Sequence, residues 1–315
     1  MKIGIFLNYV GLGSNLLHLS YCHQIAKKYG PVTVVTLNSN LKMALNDDPL
    51  IKDVILVDGK NYKRILDIIA LSKELKKHSF NKLYIFYPSV RTFLAAKLAN
   101  IKEVYSYSFF KKQKLHLVSA AKKFTEKSLN IKNCPTESNF FIKDENKQIA
   151  QRSMNLNFYN IVIGAGSSGP TTKWGEENYI NLINKLNIED NFFFYILCGP
   201  EEKNLSDKII SSIAKKNSVS LCNKNISEII PLISLCKMYI GNDSFGHHVM
   251  SQCNIPSLIL LLDTPKAYTD YSKNQYRIIP VGEDINKIDH NTAYNPDSIT
   301  VDQVYKKVLE LKKLI

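Results

Sequence analysis

One pattern occurs twice in this chain and limits what it can fold into. A short apolar run ends in a glycine turn, and a helical pattern follows. The first instance is MKIGIFLNYVGLG, leading into an apolar-periodic stretch from Asn15 to Tyr29; the second is YNIVIGAGSSG, leading into Glu176–Leu186. Further β-branched and aromatic runs alternate with helical patterns behind each. In the first half they are Pro31–Leu37, Val54–Val57, Leu83–Tyr87 and Val104–Tyr107, with helices expected over Lys63–His78, Thr92–Ala99 and His116–Leu129. In the second they are Asn191–Leu197, Val219–Cys222, Met238–Ile240, Ser257–Leu262 and Ile278–Pro280, with helices over Leu205–Lys216, Ile226–Cys236, His247–Gln252 and Val301–Leu314. Strands alternating with helices imply parallel βαβ units. At 315 residues the chain exceeds what one core usually serves. The polar stretch Asn130–Asn157 reads as the connection. The expectation is therefore an α/β protein of two Rossmann-like domains, residues 1–155 and 156–315, the terminal helix being free to pack back on the first domain.

Charge narrows the function classes. There are 41 basic and 28 acidic residues, a net charge of +13, and the only arginines are Arg64, Arg91, Arg152 and Arg277. A lysine surplus suits phosphorylated substrates or anionic lipid. Nucleic-acid readers rely on arginine for bidentate base contacts, and no such reading motif is present, so a nucleic-acid partner is not expected. The six cysteines form no CxxC pair and mostly sit in apolar runs, which reads as buried thiols in a reducing compartment. The N-terminal apolar run is too short to span a membrane, and no stretch reaches the roughly 18 residues a span needs. Cytoplasmic residence is expected, with peripheral contact at the inner membrane face left open.

In open α/β sheets ligands bind beyond the carboxyl ends of the strands. Four loops lie there. Gly11–Leu17 (GLGSNLL) is a glycine turn into a helix, able to offer backbone amides to an anion. Gly164–Tyr179 carries Ser167, Ser168, Thr171, Thr172, Lys173 and the single tryptophan, Trp174. Its hydroxyls can donate to phosphate, and Lys173 can neutralise a diphosphate; Trp174 reads equally as a packing aromatic. In Gly199-Pro200-Glu201-Glu202, Glu201 can accept ribose hydroxyls, and an acidic helix start is the plain alternative. In Gly241–His248 (GNDSFGHH), Ser244 is placed as an N-cap whose helix presents its first amides to a ligand. His247 and His248 are adjacent, so they should point about 100° apart, and no metal site is expected.

The second and fourth loops carry a resemblance. Thr172-Lys173-Trp174-Gly175-Glu176 resembles the KxWP-type motif of family 9 glycosyltransferases, which include the ADP-heptose:lipopolysaccharide heptosyltransferases. Gly241-Asn242-Asp243-Ser244-Phe245-Gly246-His247-His248, followed by VMSQCNIPSLILL, resembles their GND(S/T)GxxH motif. GLGSNLLHLS is similar to their N-terminal GD-x-L-x-x-(S/T) loop. The resemblance implies a GT-B-like architecture, with two parallel-sheet domains facing a central cleft, the donor on the second and the acceptor on the first. It implies an inverting transferase that moves heptose or a similar sugar from a nucleotide-diphosphate donor to a lipopolysaccharide or other cell-envelope glycan or glycolipid, with no cofactor and no obligatory metal. Ser167, Thr172, Lys173, Glu201, Asp243, Ser244, Phe245, Gly246 and His248 then surround the donor, and Gly11, Gly13 and His18 line the acceptor-side loop.

Three departures bear on catalysis. Ser14 and Asn15 stand where the family has its presumed base, an Asp, and neither is a base near neutral pH. With Lys173 they are the candidate catalytic residues, and His18, His23, Asp47, Asp48 and Asp243 are the side chains left to take a proton. Thr172 stands where the family has Lys. Phe245 replaces a Gly, leaving Gly246 to give a phosphate access to the backbone. A non-catalytic nucleotide-sugar-binding protein and a sugar-nucleotide epimerase on the same fold are the alternative readings.

Overall fold

The computed structural model describes residues 1–57, 65–107, 117–167, 172–189, 191–292 and 294–314. Ser168 and Thr171, among the expected phosphate donors, lie outside them. The chain divides into two compact units, Met1–Phe141 and Ile142–Ile315.

The first unit has five parallel strands: β1 (Ile3–Leu7), β2 (Val32–Thr36), β3 (Ile51–Leu56), β4 (Lys82–Ile85) and β5 (Glu103–Ser106). Their order is β3-β2-β1-β4-β5. β1 is buried along its whole length, which fits its unbroken apolar sequence at the sheet centre. The helices are α1 (Leu12–Leu16), α2 (Leu19–Tyr29), α3 (Leu41–Ala44), α4 (Ile65–His78), α5 (Val90–Leu98) and α6 (Leu117–Leu129). Leu71 and Leu75 of α4, with Ala95 and Ala96 of α5, pack on Phe6, Leu83 and Ile85 of the sheet.

The single helix expected from Asn15 to Tyr29 is broken at His18. Its backbone amide bonds the Asn15 carbonyl at 3.0 Å. The Ser14 carbonyl, which that amide would take in a continuous α-helix, instead receives the His18 ring through Nδ1 at 2.7 Å.

The second unit opens with α7 (Asp144–Arg152) and carries β6 (Tyr159–Gly164), α8 (Glu176–Glu189), β7 (Phe192–Leu197), α9 (Lys203–Ser212), β8 (Ser218–Ser220), α10 (Ile226–Ile233), β9 (Met238–Asn242), α11 (Phe245–Gln252), β10 (Ser257–Leu260), β11 (Gln275–Ile278) and α12 (Val301–Lys312). The six parallel strands run β11-β10-β9-β6-β7-β8. The division falls before α7, earlier than residue 155, because α7 packs against α10. The terminal helix finds its partners within its own unit. Thr300 caps it, its Val304, Val308 and Leu311 join the second core, and it lies against α8. Both sheets have a Rossmann-like order, one of the few that the alternating pattern allows.

Among the described residues no helix is long and apolar enough to cross a membrane. The cysteines are all unpaired; five are buried and Cys253 is half-buried.

Candidate functional site

In each sheet the chain starts at a central strand, builds outward to one side, then returns to build the other. The strand order reverses between β1 and β4, and between β6 and β9. These switch points are where such sheets bind ligands.

At the second switch point, Asn242 ends β9 and is buried. Its Nδ2 donates to the Ala165 carbonyl at 2.7 Å, and its Oδ1 accepts the Trp174 amide at 3.0 Å. The side chain thus clamps both ends of the loop after β6 against β9. Trp174 is fully buried, donates its indole N–H to the Ile299 carbonyl at 2.7 Å, and meets Tyr179 edge-to-face. It is a core residue, and burying it sends the neighbouring Lys173 outward to the loop mouth. There the Lys173 ammonium pairs with Glu202.

Glu202, rather than the expected Glu201, is the carboxylate turned into the site. Its Oε1 also accepts the Ser167 amide at 3.2 Å, and its Oε2 accepts the Gly199 amide at 2.9 Å. Glu201 is exposed on the short 3-10 turn Pro200–Glu202. A Cβ on Gly166 would lie 2.1 Å from Glu202 Oε2, so the glycine makes room for the carboxylate. Partial burial works to raise the Glu202 pKa, but the Lys173 bond and the two amides outweigh it and hold the group below the usual range. Sequence could not choose between two adjacent glutamates; the signal was only their place at a strand end.

The loop after β9 leads directly into α11. Ser244 is extended (φ −149, ψ 172), as an N-cap should be, but its hydroxyl makes no bond to the helix amides. Tyr239 gives its proton to the Asn242 carbonyl at 2.6 Å, so the Ser244 hydroxyl must donate to the Tyr239 oxygen at 2.9 Å. Among the described residues the first amides of α11 have no side-chain cap, next to half-buried Ser244 and Phe245. Ser167 Oγ donates to the Asp243 carbonyl at 3.3 Å, joining this loop to the one after β6. The Thr172 amide is anchored on Asp263 at 2.5 Å.

Two expectations for this loop are corrected. Gly246 is buried, and a Cβ there would lie 2.6 Å from Leu197 Cδ2 and 2.9 Å from Tyr239 Cε2. The glycine seats α11 on the sheet; it does not open the backbone to phosphate. His248 is buried as well, its Nδ1 on the Tyr271 hydroxyl at 2.7 Å, so it supports the loop from beneath.

The histidines also do not diverge. Their rings lie 3.9 Å apart, and both Nε2 atoms face Asp243 Oδ1, at 2.5 Å from His247 and 3.5 Å from His248. Asp243 sits just beyond the N-terminus of α11, and helix side chains tilt toward that end, so both converge on it. The three ligand atoms lie within 4.8 Å of one another. The hydrogen bonds nevertheless oppose a metal. Gln275 Oε1 accepts the Tyr271 and Ser272 amides, so its Nε2 is the donor facing His247 Nδ1 at 3.3 Å. His247 therefore carries its proton on Nε2, the atom a metal would need deprotonated. Burial would raise the Asp243 pKa, but the two histidines overcome this and push it far below the usual carboxylate range.

In the first unit, Asn15 is buried and hydrogen-bonded through both its side-chain nitrogen and oxygen. Its Nδ2 donates to the Tyr9 and Gly11 carbonyls at 3.0 and 2.7 Å, and its Oδ1 accepts from Thr36 at 2.8 Å. It braces the glycine turn, and a carboxamide is not a base near neutral pH. Ser14 is half-buried beside Gly11 and Gly13. His18 is fully buried, stacked on Tyr9 at 4.7 Å; its Nε2 has no partner among the described residues. Burial lowers its pKa from 6.5 to about 4 against the bond to Ser14. His23 and Asp48 are buried and bonded to each other at 2.6 Å, with Ser138 Oγ 2.5 Å from His23 Nδ1. Sequence did not foresee a cavity of 250 Å³ at this unit's own switch point, lined by Asn8, Leu37, Asp67, Tyr87, Ser89 and Arg91 among others.

Residues 96–295 match glycosyltransferase family 9 (heptosyltransferase). A lipopolysaccharide heptosyltransferase 1 of Campylobacter coli is 23% identical over 301 residues, covering 85% of this chain and 86% of the relative. A family 9 glycosyl transferase from Veillonella parvula has the same fold, with a TM-score of 0.78 at 16% identity over 98% of this chain and 96% of that one. The E. coli ADP-heptose lipopolysaccharide heptosyltransferase II gives 0.71 at 16% identity, over 99% and 100%. With its two Rossmann-like sheets and the matched second-unit loops, the chain belongs to glycosyltransferase family 9, the heptosyltransferases, and is a glycosyltransferase.

Proposed function

We propose that this enzyme moves heptose or a similar sugar from a nucleotide-diphosphate donor to a lipopolysaccharide or related cell-envelope acceptor, with inversion and without a metal ion. The observation that carries the reading is the uncapped start of α11 with the Lys173 ammonium nearby on the same switch point. Departure of the diphosphate builds negative charge, and oriented amides with an ammonium stabilise it without a metal ion. Glu202 takes the ribose role first given to Glu201, because it is the carboxylate that reaches the loop. Asp243 remains ionised, so its negative charge stabilises the positive charge that develops on the sugar ring; its depressed pKa makes it a poor proton acceptor. The first-unit cavity, lined by Asn8, Leu37, Tyr87 and Arg91 among others, takes the acceptor. Similarity to a lipopolysaccharide heptosyltransferase of Campylobacter coli supports a lipopolysaccharide acceptor, and similarity to the E. coli ADP-heptose lipopolysaccharide heptosyltransferase II supports an ADP-heptose donor.

The test is a panel of nucleotide-diphosphate sugars read by thermal shift and by transfer, with the product's anomeric configuration assigned by NMR. ADP-heptose should stabilise the protein and be consumed equally in excess EDTA. Loss of transfer on chelation, or a retained anomer, would overturn the mechanism; indifference to every diphosphate sugar would overturn the donor site.

A further inference from the structure

We propose that the outer face of α5 docks the enzyme on a bilayer containing anionic phospholipid. The helix is packed the reverse of the usual way. Its buried positions are Thr92, Ala95 and Ala96. Its large aliphatics, Val90, Leu94 and Leu98, are 50%, 45% and 59% exposed. Spaced i, i+4, i+8, they form one stripe along the helix. Single exposed aliphatics need no explanation, but a stripe on one element does. Small residues beneath let α5 sit close to the sheet, so the core does not need these three side chains.

Charge selects the occupant. α5 contains no acidic residue, and Lys97 shares the exposed arc with the stripe. On α4, which packs against α5, Ile69 is 47% exposed and lies among exposed Lys73 and Lys76. Exposed Lys102 follows α5. Aliphatics rimmed by lysines match the acyl–headgroup boundary: the apolar atoms enter, and the ammonium groups meet lipid phosphates. A two-fold pairing of this face with a second copy would set lysines against lysines. The inference stands on this surface alone; joined to the proposed glycolipid acceptor, it places the enzyme where that acceptor resides.

The full chain is to be sedimented with vesicles of phosphatidylethanolamine and phosphatidylglycerol, and with phosphatidylcholine vesicles. Binding is expected to the anionic vesicles and to weaken with salt. The Val90→Ser/Leu94→Ser/Leu98→Ser variant should bind about tenfold less well, and Lys73→Glu/Lys97→Glu should bind less well too. Both variants should keep the wild-type melting temperature and nucleotide-sugar shift, which separates this outcome from misfolding and from failure of the donor reading. Equal sedimentation of wild type and both variants, or none by wild type, overturns the proposal. So does a concentration-dependent dimer that the serine variant abolishes.

Discussion

Asn242 makes two hydrogen bonds that hold the loop after β6 to the sheet, and truncating it leaves both partners buried and unpaired. Asn242→Ala should therefore cost about 3 kcal/mol in urea unfolding, for the orphaned Trp174 amide and Ala165 carbonyl. Lys173→Ala should leave folding nearly intact and weaken diphosphate-sugar binding roughly tenfold by calorimetry, since it removes one charge-assisted contact; unchanged affinity would remove Lys173 from the site. His18 gives a pH prediction. Its folded pKa, about 4, lies below the unfolded 6.5, so the unfolded chain binds the proton more readily. Stability from this residue is whole above pH 6.5 and is lost as pH falls toward 4, by about 3 kcal/mol. His18→Phe should flatten the stability profile in that window, measured by denaturant midpoints at each pH. Lys173 was singled out in the sequence because an ammonium at a strand-end loop can offset the charge of a diphosphate. Glu202 was not, because only the fold shows which of two neighbouring carboxylates points inward.

At the level of elements, α11 has to lie close to β9 to aim its amides, and Gly246 sets that distance. Gly246→Ala puts a methyl 2.6 Å from Leu197 and should destabilise by roughly 1–3 kcal/mol. The same variant should weaken donor binding more than its stability loss explains, because the helix start moves; a full-strength donor shift in the folded variant would argue against the amide site. Most strand ends and helix starts were readable from apolar periodicity and glycines; the last strand, expected over Ile278–Pro280, runs instead over Gln275–Ile278. The break between α1 and α2 was not readable, since it depends on a histidine ring competing for one backbone carbonyl. The convergence of His247 and His248 was hidden for a related reason. Sequence spacing fixes where side chains leave a helix, whereas an acceptor beyond the helix end decides where they meet.

For the whole molecule, each unit has its own sheet and core, so a ligand held by one unit should stabilise that unit first. Scanning calorimetry with donor at a hundred times its dissociation constant should raise the second unit's transition by roughly 5–10 °C, from about 2.7 kcal/mol of linkage. If the donor moves only the first unit's transition, the assignment of donor and acceptor sides is reversed.

The sequence alone determined the fold class, the doubling of the Rossmann-like pattern and the family, because alternating strands and helices admit few arrangements and the matched loops fall at fixed strand ends. Tertiary structure decided which members of those loops meet. Asn15 and Trp174 proved to be braces, Gly246 a packing contact and His248 a buried support, while Glu202 turned in against the loop after β6 and the start of α11 stayed half-buried. Those outcomes depend on long-range hydrogen bonds and close packing between segments far apart in the chain, and local residue patterns carry no record of them.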